Sequence, residues 1–388
     1  MLDKTVDPLQ TISTRQSVAS ANSAASRPGG SGIGQPAPGT EPPAYAALDL
    51  GTNNCRLLVA RPRLNAAGQP VTANLDPSRP CSPSVRGVAF DVIDAFSRIV
   101  RLGEGLDRSG VLSRAAMDRT IDALKVCAAK IRRRRVVRAR QVATEACRRA
   151  TNCGDFVKRV RGETGLQFEI ISSTEEAALA LAGCATLLDD TKRHAVVFDI
   201  GGGSTELMWA RLTPDHSGAD LIDSISLPFG VINLSENFGG DRISAPAFER
   251  MVDMVRMPLE QFEAKHRIRA RIADGGVQML GTSGTVTTLA GVRLGLPCYD
   301  RSKVDGCFLD FAEMRDVTRH LLALDCKTRA LEPCIGVARA DLVIAGCAIL
   351  EAICRIWPVG RLRVADRGVR EGILSNLMRQ PAAIPAGR

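Results

Sequence analysis

Two short segments combine carboxylates, glycines and hydroxyl or amide side chains in the same order. Residues 197–208 read VFDIGGGSTELM, and residues 47–58 read ALDLGTNNCRLL. In each, an apolar run ends in an aspartate, a glycine follows two residues later, and a second apolar run begins after polar residues. Backbone N–H groups at such glycines can converge on an anion because no Cβ atom obstructs its approach. Both segments are therefore predicted to bind phosphate.

Backbone amides and short polar side chains supply the predicted phosphate ligands of these two segments. The first segment contributes Gly51, Thr52, Asn53 and Asn54, and the second contributes Gly201, Gly202, Gly203, Ser204 and Thr205. A flexible turn that binds nothing is the alternative interpretation. Two matching segments, one of them with three consecutive glycines, favour binding.

Acidic residues at both segments indicate that a cation accompanies the phosphate. Asp49 and Asp199 end the two apolar runs, and Glu206 follows seven residues after Asp199. A carboxylate beside a bare phosphate would repel it, whereas Mg²⁺ held by carboxylates attracts phosphate oxygens. Asp49, Asp199 and Glu206 are therefore the predicted Mg²⁺ ligands.

A third glycine element occurs in residues 280–291, which read LGTSGTVTTLAG. The pattern predicts a strand, a turn formed by Gly281, Thr282, Ser283 and Gly284, and then a helix, whose N-terminus attracts anions. No Lys follows the second glycine as in a Walker loop, and the glycine spacing differs from that of a dinucleotide-binding loop. Many strand-to-helix turns look like this one, so an ordinary turn is the alternative.

Charged residues follow two further predicted strands. Arg148 lies in the segment VATEACRRATN, and Glu175 and Glu176 lie in IISSTEEAALA, in the first turn of a predicted helix. Acids in the first helical turn are common because they complement the helix dipole and cap its amides. From the residues alone, two alternatives to a role in the site stay open: the acids can simply cap the helix, and Arg148 can be a solvated surface residue.

The predicted strands alternate with predicted helices, which is typical of an α/β fold. Asp49 and Asp199 lie 150 residues apart, and a pattern repeated at this distance indicates two related domains rather than a solenoid. The two aspartate–glycine hairpins can then face each other across a cleft. Residues 1–43 are rich in Ser, Ala, Gly, Pro and Thr, and we expect a disordered tail there.

Composition narrows the class of protein. The chain has 388 residues, a net charge of +9 and only 4% aromatic residues, so anionic partners are favoured but base stacking on nucleic acid is not. Its 12 cysteines form no C-x-x-C pair, which disfavours a zinc site. No apolar run reaches membrane-spanning length, and the N-terminus lacks the pattern of a secretory signal. We expect a cytoplasmic protein that binds neither nucleic acid nor membranes.

Seven segments occur in an order that resembles the exopolyphosphatase/guanosine pentaphosphate phosphohydrolase (Ppx/GppA) family. They are ALDLGTNNCRLLVA, DAFSRIVRLGEGL, VATEACRRATN, IISSTEEA, VFDIGGGSTELM, LGTSGTVTTLAG and RGVREGIL. The resemblance extends from about Tyr45 to Leu377. It implies the fold of the actin and sugar kinase superfamily: two ribonuclease-H-like (actin-like ATPase) lobes, residues 44–190 and 191–380, around a central cleft.

The resemblance also implies a reaction, namely hydrolysis of a terminal phosphate from inorganic polyphosphate or from pppGpp with Mg²⁺. It implies Glu176 as general base, Asp199 and Glu206 as metal-associated residues, and Arg148 and Arg56 as phosphate-binding arginines. The like charge of Glu175 is expected to raise the pKa of Glu176, which would suit a base. Thr52 and Asn54 stand where the family often has serines, and both keep hydrogen-bonding groups.

Three classes of function stay open. The first is an exopolyphosphatase, and the second is a pppGpp 5′-phosphohydrolase, an activity that can coexist with the first. The third is a (p)ppGpp-binding regulator or a kinase of the superfamily. The third class is disfavoured because no purine-stacking aromatic follows Gly284 and because Glu176, Asp199 and Glu206 are all retained.

A basic run at residues 130–140, KIRRRRVVRAR, has seven basic residues in eleven. It fits a solvated helix end, and its alternative is a landing site for a polyanion at Arg133 and Arg134. A homodimer is also left open by the sequence.

Overall fold

The chain forms two mixed β-sheets connected by helices, which confirms the predicted α/β class. The computed structural model describes residues 41–65, 69–71, 88–213 and 218–379. The tail predicted at 1–43 lies almost wholly outside the described residues. Within them, no helix combines the length and the apolar character that a membrane crossing requires.

The first sheet belongs to the N-terminal part of the chain. Its strands are β1 (Tyr45–Leu50), β2 (Asn54–Pro62), β3 (Phe90–Ile99), β4 (Arg138–Ala143) and β5 (Glu169–Ile170). They lie in the order β3-β2-β1-β4-β5. The helices of this part are α1 (Leu106–Ser109), α2 (Arg114–Arg133), α3 (Glu145–Arg149), α4 (Cys153–Thr164) and α5 (Ser173–Cys184), followed by a 3₁₀ turn at Ala185–Leu187.

The second sheet uses the C-terminal part. Its strands are β6 (His194–Ile200), β7 (Thr205–Leu212), β8 (Ala219–Leu227), β9 (Val277–Thr282), β10 (Phe308–Asp310) and β11 (Arg361–Ala365), in the order β10-β11-β9-β6-β7-β8. Its helices are α6 (Val231–Phe238), α7 (Ala245–His266), α8 (Ile268–Ala273), α9 (Gly284–Arg293), α10 (Arg301–Val304), α11 (Phe311–Ala323), α12 (Cys326–Arg329), α13 (Val343–Ile356) and α14 (Val369–Arg379).

The two sheets repeat one topology. The run β3-β2-β1-β4-β5 corresponds to β8-β7-β6-β9-β11. β1 runs antiparallel to β2 and parallel to β4, and β6 runs antiparallel to β7 and parallel to β9. The predicted fold of two related lobes is confirmed by this repeat. The exact lobe boundaries, 44–190 and 191–380, stay a prediction.

The first strand of each lobe is central and buried on both faces. Residues 46–48 of β1 and 195–198 of β6 have no exposed surface. This explains why both strands appear in the sequence as continuous apolar runs rather than alternating patterns. The aspartate is the last but one residue of each strand, so Asp49 and Asp199 lie at the carboxyl ends of the two central strands.

Helices α5 and α14 pack against each other and share one hydrophobic core with strands of both sheets. This core includes Tyr45 and Leu58 from the first lobe and Val197 from the second. The elements approach closely at Gly183 and Gly372: a Cβ atom on Gly183 would lie 2.0 Å from the carbonyl oxygen of Gly368, just before α14, and one on Gly372 would lie 2.0 Å from that of Leu179 in α5. The two glycines therefore allow the contact that joins the lobes.

Candidate active site

The two glycine hairpins have the same backbone geometry. The N–H of Gly51 donates to the carbonyl of Asn54 at 2.9 Å, and the N–H of Gly201 donates to the carbonyl of Ser204 at 2.9 Å. Just before each turn, the aspartate pairs in register with a charged residue of the next strand: Asp49 with Arg56, and Asp199 with Glu206.

The hairpins face each other across a cavity of about 110 Å³. They approach so closely that a Cβ atom on Gly202 would lie 3.0 Å from the backbone nitrogen of Asn53. The structure brings most of the predicted site residues into the lining, which includes Asp49, Gly51, Thr52, Asn53, Asn54, Arg56, Glu176, Asp199, Gly201, Gly202, Gly203, Ser204, Glu206, Ser283 and Gly284.

Three predicted phosphate ligands lie elsewhere. The hydroxyl of Thr205 donates to the carbonyl of Phe229 at 2.7 Å, inside the protein. Gly281 and Thr282 are the last residues of β9, which lies between β6 and β11, so their backbone groups belong to the sheet. The third glycine element therefore reaches the cavity only with Ser283 and Gly284.

Arg148 lies behind Glu176 and is not part of the cavity lining. Its Nη1 atom donates to Glu176 Oε2 at 2.8 Å and to the carbonyl of Ile171 at 2.9 Å. Its Nε and Nη2 atoms donate to Glu145 Oε2 at 3.2 and 2.9 Å. In this structure the guanidinium is thus engaged by carboxylates rather than directed at a phosphate.

Glu176 enters the cavity from the first turn of α5, whose N-cap Ser172 accepts a hydrogen bond from the N–H of Glu175. Burial, and then the charge of Glu206, raises the pKa of Glu176 well above its usual value. Glu175 is not among the causes. Its carboxylate turns outward and binds Arg140 at 2.6 Å, so the expectation that Glu175 raises this pKa was wrong.

Carboxylates of both hairpins line the cavity. Burial raises the pKa of Asp49 against the opposing effect of Arg56. Burial and the charge of Glu206 raise the pKa of Asp199 to about 7. Among the described residues, neither aspartate forms a hydrogen bond or an ion pair through its side chain. Burying such groups without a partner is costly, so a cation that neutralises them is the partner that fits.

The donors present suit a hydrated divalent ion. In the described part of the chain, no group of three or more His, Cys, Asp or Glu side chains lies close enough together to hold a metal. Mg²⁺ commonly binds through one or two carboxylates and keeps water and phosphate oxygens as its remaining ligands. Asp199 and Glu206, which pair in register on the second hairpin and both line the cavity, fit that mode.

The cavity also contains two arginines, one from each lobe. Arg56 of β2 and Arg339, which precedes α13, both line the cavity, and neither forms an ion pair among the described residues. Arg339 Nη1 donates to Thr288 Oγ1 at 2.9 Å. Burial and the positive charge of Arg56 lower the pKa of Arg339. An anion between them would remove this repulsion.

Sequence reasoning did not identify Arg339, nor the lining residues Thr144, Thr285 and Thr288. Arg339 follows an irregular segment, and its neighbours Gly336 and Asp341 do not repeat the aspartate–glycine pattern of the hairpins. Thr144 follows β4, and Thr285 and Thr288 lie in the first turns of α9. Their positions next to the quoted glycines and acids could have indicated them.

Comparison with known proteins finds relatives of one family over most of the chain. The model of the Ppx/GppA phosphatase family matches residues 83–380. Exopolyphosphatase 2 of Mycobacterium tuberculosis (strain ATCC 25618 / H37Rv) is 28% identical over 342 residues, which cover 86% of this chain and 98% of the relative. Guanosine-5′-triphosphate,3′-diphosphate pyrophosphatase of Aeromonas hydrophila is 28% identical over 337 residues, 87% of this chain but 60% of the relative.

A solved structure supports the fold. The crystal structure of the Aquifex aeolicus member of the Ppx/GppA family superposes with a TM-score of 0.65 at 26% sequence identity, covering 87% of this chain and 98% of that chain. The match to the family model spans well over half of the sequence, and the hairpins quoted for the resemblance form the two sides of the cavity. The chain belongs to the Ppx/GppA phosphatase family.

Proposed function

We propose that this protein is an exopolyphosphatase, which removes the terminal phosphate of inorganic polyphosphate by hydrolysis with Mg²⁺. The observation that carries the proposal is that the cavity contains both kinds of charge. The arginines Arg56 and Arg339, which form no ion pair in the described part of the chain, line it together with the carboxylates Asp49, Glu176, Asp199 and Glu206. A phosphate chain accompanied by a cation offsets both kinds of charge at once.

Glu176 is the proposed general base. Its Oε2 atom is held by Arg148, which is held in turn by Glu145, so the carboxylate has a fixed orientation. Oε1 is then the atom that accepts a proton from the attacking water. The raised pKa of Glu176 makes it a stronger base than an exposed glutamate, while the charge of Arg148 opposes complete protonation.

Phosphate binding is assigned to donors of three elements. The backbone amides of Gly202 and Gly203, the amides around Asn53, and Gly284 at the N-terminus of α9 surround the cavity. Arg56 and Arg339 offset the negative charge of the phosphoryl oxygens in the transition state. When bound at Asp199 and Glu206, Mg²⁺ supplies Lewis-acid stabilisation of the same oxygens.

A second substrate, pppGpp, fits the same chemistry because its terminal 5′-phosphate is also a phosphoanhydride. The similarity to the Aeromonas hydrophila pyrophosphatase favours it as a candidate. We place polyphosphate first because this chain matches 98% of the length of the Mycobacterium tuberculosis exopolyphosphatase. A cytoplasmic location and a homodimer stay predictions.

The test compares phosphate release from long polyphosphate, tripolyphosphate and pppGpp, each with Mg²⁺ and with a chelator. Release from polyphosphate that requires Mg²⁺ and is lost in Glu176→Gln supports the proposal, and faster release from pppGpp would put the second substrate first. Glu175→Gln is the matched control, since Glu175 faces Arg140 outside the cavity. Failure to release phosphate from any of the three would overturn the proposed function.

A further inference from the structure

One ion pair joins the two lobes beside the cavity. Arg101 of the first lobe donates from Nη1 to Asp341 Oδ2 at 2.9 Å and from Nη2 to Oδ1 at 3.0 Å. Nη2 also lies 3.3 Å from the carbonyl of Ala338. The pair is bidentate, the geometry in which arginine and carboxylate interact most specifically. Its two side chains are 30% and 31% exposed, and neither lines the cavity.

On the first lobe, Arg101 is bound to the glycine hairpin. The N–H groups of Val100 and Arg101 donate to the carbonyl of Asn53 at 2.8 and 3.0 Å, and the N–H of Gly103 donates to the carbonyl of Thr52 at 3.0 Å. Asn53 and Thr52 both line the cavity. Movement of Arg101 is therefore coupled to the hairpin that is proposed to bind phosphate.

On the second lobe, Asp341 belongs to the segment that carries Arg339. The N–H groups of Leu342 and Val343 donate to the carbonyl of Arg339 at 2.9 and 3.0 Å. The hydroxyl of Ser235 holds the carbonyl of Asp341 at 2.8 Å. The position of Asp341 therefore sets that of the cavity arginine two residues before it.

The backbone of Arg101 has an uncommon conformation, which its contacts hold in place. Its φ angle is 48°, in the left-handed region that a non-glycine residue adopts only at a cost. Such conformations persist where the surrounding contacts hold them, and here the contacts are the hairpin carbonyl and the Asp341 carboxylate.

We propose that Arg101 and Asp341 are positioning residues that hold the two lobes closed and keep Arg339 opposite Arg56. This inference rests on the proposed phosphoanhydride hydrolysis for its kinetic consequence. Exposed ion pairs contribute little to the free energy of unfolding, so the effect lies in geometry. Displacing a positioned group by about 1 Å can reduce turnover about 100-fold.

The kinetic test uses Arg101→Met, Asp341→Asn and the double variant. We expect each single variant to lower kcat/KM for polyphosphate by about 10-fold to 100-fold, and the double variant to lose no more than either single one. The matched control is Arg159→Met, because Arg159 pairs with Glu163 at 2.7 Å and with Asp118 at 2.5 Å within the first lobe, and its side chain is 31% exposed, nearly as much as that of Arg101. Its kcat/KM should stay within about twofold of the wild-type value.

A second measurement does not depend on activity. Hydrogen exchange of the amides at 100–103 and 339–343 should become faster in both single variants and stay unchanged in Arg159→Met. If the wild-type protein hydrolyses none of the substrates, the proposed function fails, and exchange alone decides this inference. If Met at position 101 prevents folding, Arg101→Lys is compared with Arg159→Lys by the same two measurements.

Three results would overturn the positioning role. The first is a kcat/KM within twofold of wild type in both single variants. The second is additive losses in the double variant. The third is disagreement between the two measurements in an active enzyme, with kinetic loss but unchanged exchange in both segments, or the reverse.

Discussion

The two glycine hairpins share a backbone but carry opposite charges at one position. In the first hairpin, Asp49 pairs in register with Arg56, and in the second, Asp199 pairs in register with Glu206. The turn hydrogen bond has the same length in both. The repeated hairpin therefore carries an arginine at this position in one lobe and a second carboxylate in the other.

Because of this difference, we expect the two hairpins to attract ions of opposite charge. A lobe with two carboxylates side by side attracts a cation, and a lobe with an arginine next to its aspartate attracts an anion. Facing hairpins of these two kinds can hold a metal–phosphate pair, which neither could hold alone. The comparison predicts distinct kinetic signatures for variants of the two hairpins.

The largest effect is expected in the second hairpin. Glu206→Gln should lower kcat by about 10²-fold to 10³-fold and raise the Mg²⁺ concentration needed for half-maximal rate, because it removes charge where a cation and phosphoryl oxygens meet. Initial rates across a Mg²⁺ titration measure both effects. Ser226→Ala is the control, since it removes only a 3.0 Å hydrogen bond to Glu206 Oε1. An unchanged Mg²⁺ requirement in Glu206→Gln would remove the assigned difference between hairpins.

A substitution in the first hairpin is expected to change mainly the KM for polyphosphate. Arg56→Gln is expected to raise KM for polyphosphate about 10-fold to 100-fold with an unchanged Mg²⁺ requirement, because a partner of the phosphate charge is lost. Arg56→Lys should lie between this variant and the wild type. Steady-state kinetics at saturating Mg²⁺ measure the shift. A changed Mg²⁺ requirement in Arg56→Gln would instead assign metal binding to both hairpins.

The hairpins also differ in the space around their glycines. A Cβ atom on Gly51 would meet nothing nearer than 3.7 Å, whereas one on Gly202 would lie 3.0 Å from Asn53 and 3.1 Å from Thr52 across the cleft. Gly202→Ala should therefore lower the free energy of unfolding by about 1–3 kcal/mol. Gly51→Ala should change it by less than about 1 kcal/mol. Denaturant unfolding of both variants measures the contrast, and equal losses would contradict the close approach.

Sequence reasoning found the parts of the site that have a local signature. Glycine runs and strand-end aspartates are visible because backbone donors and metal ligands require those residue types at fixed spacing. Thr205 was assigned wrongly because the direction of its hydroxyl depends on the neighbouring Phe229 carbonyl, a tertiary contact. Arg339 was missed for a related reason, since only the packing of α13 against the second lobe brings it to the cavity.

The repeat extends beyond the hairpins. In each sheet, the pairing of the second with the third strand shifts register at the same place. The shift lies between Val59 and Ala60 of β2, which pairs with β3, and between Trp209 and Ala210 of β7, which pairs with β8. Opposite these positions lie Asp94 of β3 and Asp223 of β8. Each binds cations at the C-terminal end of the next long helix of its lobe, α2 or α7.

This contact accounts for part of the basic run at 130–140. Lys130, Arg133 and Arg134 bind Asp94 at 2.6, 2.8 and 2.8 Å. Arg140 binds Glu169 and Glu175. Binding of a polyanion at Arg133 and Arg134 stays a prediction, and it would have to compete with Asp94.

The smallest expected effect compares these two aspartates. Asp94 is 7% exposed and binds three cations, whereas Asp223 is 28% exposed and binds Lys265 and His266. We expect Asp94→Asn to lower the free energy of unfolding at pH 7 by about 1 kcal/mol, and Asp223→Asn by about half as much, because exposed ion pairs contribute little.

The pH dependence separates an electrostatic role from a merely structural one. Burial alone would raise the pKa of Asp94, but the bonds from Lys130, Arg134 and Arg133 hold it well below its usual range. The hydrogen bond from Lys265 likewise lowers the pKa of Asp223. A lowered pKa stabilises the fold above the unfolded value of about 3.9, and this stabilisation is lost as the pH falls through the folded value. The difference between each variant and the wild type should therefore be constant above about pH 5 and shrink below about pH 4. Differences that persist unchanged at acid pH would show that the two aspartates act through packing, and that the charge pattern repeated in the lobes ends at the hairpins.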